Sequence, residues 1–212
     1  MKPKIMLDSA HGGRDSGAIG VTIIEKNYVL EVVKLVKNKL MNYNCDVLLT
    51  REKDNYISLD ERVNKSNINN CDIFVSIHCN SASNIATGFE SYSYNGKSSL
   101  QENIHREVIK TIGLKDRGMK KANFYVLKYT KAKAVILELG FINNKNDCDI
   151  LNKNIEKIAD SIVRGIVNAL NLKIINTKYC VQIGAFNNKE NAQQLVDELK
   201  IKGYEPIIKV GV

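Results

Sequence analysis

The chain has 212 residues, 44% of them hydrophobic and 25% charged, with a formal net charge of +8. That is enough for a sizeable core with a small appendage, and it excludes a disordered or fibrous chain. No run of eighteen apolar residues and no basic run interleaved with aromatics is present, so neither membrane insertion nor nucleic-acid binding is expected.

Apolar runs and helical periodicity alternate along the chain, which predicts an α/β fold: a single twisted, mostly parallel sheet flanked by helices. Residues 3–8 read as a strand that stops at "DSAHGG". From Glu25 to Met41 the positions Val29, Val32, Val33, Val36 and Leu40 share one helical face. "CDVLLT" is a second strand, and Ser58-Leu59-Asp60-Glu61 is a capping box that starts a helix. "CDIFVSIH" (71–78) is a buried strand and "GFESYSY" (88–94) a weaker one. Ser99-Leu100-Gln101-Glu102 reads as another capping box, opening a helix to about Ile112. "FYVL" (124–127) and "AVILELG" (134–140) are predicted strands. Ile155, Ile158, Ile162, Ile166 and Leu170 mark the last large helix. Beyond it, "YCVQIGAF", a helix over roughly 188–202 and "YEPIIKV" predict a small βαβ unit. So few residues cannot bury a core alone, so the unit must dock, pair or fray. The expected domains are 1–172, a linker over 173–177, and 178–212. Residues 173–212 carry two of the eight net charges. The remainder is diffuse over the larger domain and favours a polyanionic partner such as a cell envelope.

The five cysteines are odd in number and form no CxxC pair. They argue against a disulfide framework and a cysteine zinc knuckle, and read as small buried residues from a reducing compartment. The N-terminus runs straight into the first strand without the layout of a signal peptide. Either the protein starts in the cytoplasm or its leader lies outside this sequence.

Three predicted strands end in a titratable residue: His11, His78 and Glu138. A fourth, Glu25, opens the first helix. In a largely parallel sheet the carboxyl ends of the strands line the ligand crevice, so two histidines and two glutamates are expected to converge there. Two neutral imidazoles and one carboxylate make a catalytic zinc set with a position open to water, and the second carboxylate can take that water's proton. Plain structural roles also fit. His11 can cap a loop, "HGG" can cradle a phosphate, His78 can be a hydrogen-bonded strand end, and Glu25 can be a helix acid favoured by the dipole. Glu138 is harder to dismiss, because a carboxylate after Ala-Val-Ile-Leu is costly to bury without a partner. Cys79 points to the opposite face from His78, and His105, in the polar "QENIHREVIK" helix, is expected to be solvated.

The ordered set "DSAHGGRDSGA", Glu25, "LLTREKD", "LDERVNKSN", "DIFVSIHCNS", "TGFE", "RGMK", "FYVLK" and "AVILELGFINNKND" resembles the zinc-dependent N-acetylmuramoyl-L-alanine amidases of phage lysins, autolysins and spore-wall enzymes, over about residues 3–171. The resemblance implies zinc ligands at His11, Glu25 and His78 and a catalytic glutamate at Glu138. Its one departure is "DSAHGG", where Ala-Gly or Pro-Gly more often precedes the histidine; only loop geometry is expected to change. Asp8 or Asp15 is a candidate to orient a ligand histidine. Arg51 and Arg62 are also family positions, with a structural role expected: Arg62 pairing with a nearby acid. The tail resembles the first half of a SPOR peptidoglycan-binding repeat.

The implied function is a peptidoglycan hydrolase that cleaves the amide between N-acetylmuramic acid and L-alanine, acting on the cell wall outside the cytoplasm. Peptidoglycan is the expected partner. A homodimer is a further expectation, because two half-SPOR units can complete one sheet. The alternatives are a non-catalytic peptidoglycan-binding module, a zinc carboxypeptidase acting on wall peptides, and a phosphate-binding protein built on the HGG loop.

Overall fold

The computed structural model describes residues 2–83, 85–175 and 182–209. Six strands form one sheet: β1 (Lys4–Ser9), β2 (Asp46–Leu49), β3 (Ile73–Asn80), β4 (Phe89–Ser93), β5 (Asp116–Lys121) and β6 (Lys133–Phe141). Their spatial order is β2-β1-β3-β6-β4-β5. The first four in that order run parallel. The direction reverses once, between β6 and β4, and β5 then runs parallel to β4.

Alternation along the strands feeds two apolar layers. Ile5, Leu7, Val75, Ile77, Leu137 and Leu139 face one side, while Met6, Phe74 and Ile136 face the other. The larger layer is covered by α1 (Glu25–Leu40), α3 (Ser99–Ile112), α5 (Lys145–Lys153) and α6 (Ile155–Leu170). On α1 the predicted stripe of Val29, Val32, Val33, Val36 and Leu40 is fully buried. Each such aliphatic side chain contributes roughly 1.5–3 kcal/mol when removed from water. The smaller layer is closed by Val63 of α2 (Leu59–Ile68) and by Val126 and Leu127 of α4 (Tyr125–Tyr129).

Several expectations shift. "FYVL" is not a strand but the start of the one-turn helix α4, in which Tyr125 and Tyr129 stack one turn apart with ring centroids separated by 4.5 Å. Four apolar residues carry no period that separates a strand from a helical turn, and here the neighbours Val126 and Leu127 are both buried, which alternation forbids. The strand instead lies just upstream, in the polar Asp116–Lys121, as the sheet's edge. The α3 cap is Ser98, whose hydroxyl accepts the Gln101 N–H, one residue before the expected serine.

Chain contacts divide the protein into two compact units, residues 1–176 and 177–212. Residues 173–175, read as the start of a linker, are hydrogen-bonded to the 42–44 turn: Asn44 donates to the Lys173 carbonyl, and Ile175 donates to that of Asn42. Of the predicted C-terminal βαβ unit, the helix is present as α7 (Lys189–Ile201), capped by the Asn188 side chain. Residues 182–186 and 204–209 form neither helix nor strand. A strand is held by hydrogen bonds to a neighbour, and among the described residues none lies beside them. The rest of the two expected strands, 179–181 and Val210, falls outside the described residues. Among the described residues no helix is long and apolar enough to cross a membrane.

Candidate active site

β1, β3 and β6 are adjacent and parallel, so their carboxyl ends open on the same edge of the sheet. His11 follows β1, His78 lies near the end of β3, and Glu138 pairs with His78 in the β3–β6 register. Glu25 enters from the first turn of α1. The four predicted residues therefore meet, lining or adjoining a cavity of about 290 Å³ whose outer wall includes Tyr56, Leu59, Phe124 and Tyr125.

Glu25 is the centre of the set. Its Oε1 lies 3.2 Å from His11 Nε2 and 3.2 Å from His78 Nδ1, and it accepts the Cys79 N–H at 3.0 Å. Its Oε2 accepts the Ala18 N–H at 2.9 Å. One potential ligand atom from each of His11, Glu25 and His78 falls within 4.8 Å of the others. The two imidazoles meet edge to face, at 83° and 5.3 Å between centroids. Gly17 makes this closeness possible. A Cβ there would lie 2.6 Å from both Glu25 Oε2 and the His11 ring, and its φ of +62° suits glycine.

Asp15 decides which nitrogen of His11 faces the cluster. Its Oδ2 is 2.9 Å from His11 Nδ1, which leaves Nε2 toward Glu25. Of the two aspartates weighed as orienting residues, Asp15 therefore touches the histidine. Asp8 instead accepts from Arg62, Thr50 and Ser76 beneath the site. His11 adopts φ +58°, sparsely populated for a residue with a Cβ, and the loop is stapled through its carbonyls. Arg62 donates to the Ser9 and His11 carbonyls at 2.7 Å each, and Arg51 donates to those of Ser9, Ala10 and Lys26. Both arginines hold backbone, and Arg62 also pairs with an acid, Asp8 at 2.5 Å.

The electrostatics follow from burial and from these contacts. Burial disfavours charge on His11, yet Glu25 and Asp15 outweigh it and lift its pKa to about 9. Burial likewise opposes charge on His78, and Glu25 and Glu138 raise it. Burial alone would raise Glu25, but the two imidazoles hold it far below the usual carboxylate range. The cluster thus demands positive charge at its centre, which protons supply when nothing else does. Glu138 behaves oppositely. Burial, with smaller contributions from Glu25 and Glu90, outweighs the pull of His78 and raises it to about 7. Its buried Oε2 has no hydrogen-bond partner among the described residues. A two-nitrogen, one-carboxylate donor set beside an orphaned carboxylate oxygen fits a divalent cation carrying a water molecule.

Against known proteins, the family profile described as N-acetylmuramoyl-L-alanine amidase matches residues 5–168. The chain belongs to this family of peptidoglycan hydrolases. A SPOR domain profile matches residues 176–212. The amidase is 37% identical over 214 residues to N-acetylmuramoyl-L-alanine amidase CwlM of Bacillus licheniformis, covering 97% of this chain and 84% of that one. It is 38% identical over 215 residues, with the same coverage, to the sporulation-specific N-acetylmuramoyl-L-alanine amidase of Bacillus subtilis strain 168. Its fold superposes on the catalytic domain of the amidase CwlV from Bacillus (Paenibacillus) polymyxa var. colistinus with a TM-score of 0.76 and 31% identity, over 82% of this chain and all of that one.

Other site features lie beyond what sequence reasoning singled out. Asp147 is fully buried and accepts from Thr87 Oγ1 and from the N–H groups of Gly88 and Phe141, tying the loop before β4 to the end of β6. Its only sequence signal is a helix N-terminal acid. His105, expected to be solvated, is 4% exposed. Its Nδ1 is 2.8 Å from Ser91 Oγ and its Nε2 is 3.0 Å from Asp116 Oδ1. The signal was spacing: His105 follows Gln101 by four and precedes Val108 by three, on the same buried helical face as Ile104 and Ile112.

Proposed function

We propose that this chain cleaves the amide between the lactyl group of N-acetylmuramic acid and L-alanine, with zinc held by His11, Glu25 and His78 and with Glu138 as the proton carrier. A bound zinc ion supplies Lewis acidity, lowering the pKa of a coordinated water towards ~7 and polarising a carbonyl oxygen. The chain's own residues do the rest. Asp15 fixes the His11 tautomer, and the Cys79 and Ala18 N–H groups fix both oxygens of Glu25, so three ligands stand preorganised. Glu138 accepts the proton of the attacking water and returns it to the departing alanine nitrogen. A raised pKa suits that double duty, because the group must take a proton and give it up near neutral pH. The apolar and aromatic cavity wall excludes bulk water from the carboxylate.

The observation that carries this reading is the buried, unpartnered Oε2 of Glu138 beside the His–Glu–His convergence. Wall digestion by wild type and by Glu138→Gln, with metal content measured for both, tests it. The expected result is new L-alanine amino termini and intact lactyl groups from wild type, and a variant that keeps zinc without activity. Release of C-terminal amino acids instead would mean a carboxypeptidase, and binding without cleavage would mean a wall-binding module.

We assign catalysis to residues 1–172 and wall binding to 178–212, joined by 173–177. The reading places both on peptidoglycan outside the cytoplasm. The exposed Ile183, Phe186 and Ile207, on segments that form no strand among the described residues, support completion of the C-terminal unit by a second copy. Sedimentation that stays monomeric at tens of micromolar removes that part of the proposal.

A further inference from the structure

One buried acid next to the site has no role in the chemistry above. Glu90 on β4 stands directly opposite Glu138 in the antiparallel β4–β6 register, so the two side chains share a face of the sheet. It is 3% exposed and fully partnered. Its Oε1 accepts from Tyr92 Oη at 2.6 Å and from Asn80 Nδ2 at 2.9 Å. Its Oε2 accepts from Arg117 Nε at 2.8 Å and from the Lys120 ammonium. Both cations come from β5, in the "RGMK" motif that the fold and the chemistry leave without a task.

One cation balances one buried carboxylate, and two leave a surplus of one positive charge beside Glu90. Neither cation is buried: the Arg117 and Lys120 side chains are 32% and 36% exposed. Arg117 is clamped, with its guanidinium 4.8 Å above the centroid of the Phe141 ring. Gly88, at φ +117°, lets it lie against the backbone, where a Cβ would come within 2.9 Å of Arg117 Cγ. Only Nε is used by Glu90. Among the described residues the two terminal nitrogens have no hydrogen-bond partner, so a rigid two-pronged donor is presented beside a second ammonium. That is the arrangement that grips a carboxylate in two places.

The direction of the substrate follows from the row His78, Glu138 and Glu90 across β3, β6 and β4, which Arg117 and Lys120 of β5 continue through their bonds to Glu90. The scissile carbonyl belongs at the histidine end. Its nitrogen must face Glu138, which protonates it, so the peptide leaves toward β4 and β5. Two strand spacings of about 4.8 Å separate β6 from β5. At roughly 3.4 Å per extended residue, that distance is about three residues of peptide.

The geometry points to Arg117 and Lys120 as a binding site for a carboxylate on the peptide side of the scissile amide, about three residues beyond it. This rests on Glu138 being the proton carrier, which sets the direction. The glycan side, built of N-acetylated sugars, offers no carboxylate of this kind, and the other anionic source in a wall is polymer-borne phosphate.

The experiment uses the full chain and two soluble muramoyl peptides of the same length, one with free carboxylates and one with them amidated. Equilibrium binding is measured with zinc-loaded Glu138→Gln protein, which does not consume ligand, and KM and kcat with wild type. Arg117→Gln and Lys120→Gln, made in both backgrounds, should weaken binding of the acidic peptide and raise its KM about ten- to a hundredfold, leaving the amidated peptide within about twofold. Arg117→Lys should recover part of the loss by keeping charge without the fork. Equal loss on both peptides, or none, overturns the inference and leaves the cations as partners of Glu90 only. Loss confined to intact walls, and abolished when phosphate polymers are stripped from them, overturns it in favour of a phosphate site. Absence of wild-type turnover on either peptide counts against the amidase reading, while the binding arm still reports on the carboxylate site. Circular dichroism and the zinc content of each variant identify a misfolded protein, and Lys120→Gln, which leaves Arg117 on Glu90, serves if Arg117→Gln does not fold.

Discussion

Two buried carboxylates line the same cavity and are treated in opposite ways. Asp8, on β1, has three donors: Arg62, Thr50 and Ser76, at 2.5, 2.7 and 2.6 Å. Burial works against its charge, but the arginine and the hydroxyls outweigh it, and its pKa is lowered. Glu138, two strands away on β6, has an oxygen with no donor and a pKa raised to about 7. The contrast separates architecture from chemistry. A satisfied carboxylate holds strands and loops in place, whereas the proposed proton carrier is left unsatisfied, at a cost to the fold.

The comparison breaks most sharply at Arg62. Arg62→Met leaves Asp8 charged and buried and frees the Ser9 and His11 carbonyls. Denaturant unfolding is expected to show a loss of about 3–5 kcal/mol. Glu138→Gln should do the converse, lowering kcat about 10²- to 10⁴-fold on wall substrate while the zinc content stays unchanged. In metal-free protein the same change should be stabilising. The folded-state pKa of Glu138 lies above its unfolded value of 4.5, so wild type loses stability as pH rises through 4.5 towards about 7 and carries the full penalty above that. Glu138→Gln should therefore be more stable than metal-free wild type at pH 8, by about 1–3 kcal/mol, with the gap closing below about pH 4.5. Asp8 has the opposite sign: its contribution is present above its unfolded value of 3.8 and is lost as pH falls through the lowered folded value. Asp15→Asn should keep the fold and weaken zinc binding about ten- to a hundredfold, read by competition with a chelator. The smallest effect is expected from Thr50→Val, which removes one of the three Asp8 donors and should cost about 1 kcal/mol in thermal unfolding.

How far the sequence reveals this depends on whether a signal is local. Strand ends and helix starts are local, so His11, His78, Glu138 and Glu25 stand out as apolar runs broken by titratable residues, and topology alone brings them together. The Asp8 cluster is not local. Arg62 lies 54 positions from its partner and Ser76 lies 68, so no spacing rule links them. Helix α4 is too short for periodicity to distinguish from a strand, and β5 hides because Asp116–Lys121 is a polar edge without an apolar run. His105 was legible in its spacing but was outvoted by the polar residues around it. For the C-terminal unit, the sequence shows strand-forming residues, but pairing is not a local property, and the described parts, 182–186 and 204–209, form no strand.

The single reversal of direction between β6 and β4 has a wider consequence. In an all-parallel sheet only one set of loops, those leaving the strands, can reach the crevice. Here the segments that enter β4 and β5 arrive at the same mouth as those that leave β1, β3 and β6. The connection from β3 to β4 therefore both leaves and enters at that mouth, and the one from α3 to β5 arrives there. Of the three proposed ligands, His11 lies in a departing loop, while His78 lies on β3 and Glu25 on α1. A connection that supplies none of the proposed ligands, residues 113–115 before β5, therefore reaches the mouth of the same hydrolytic centre, which an all-parallel sheet would not allow.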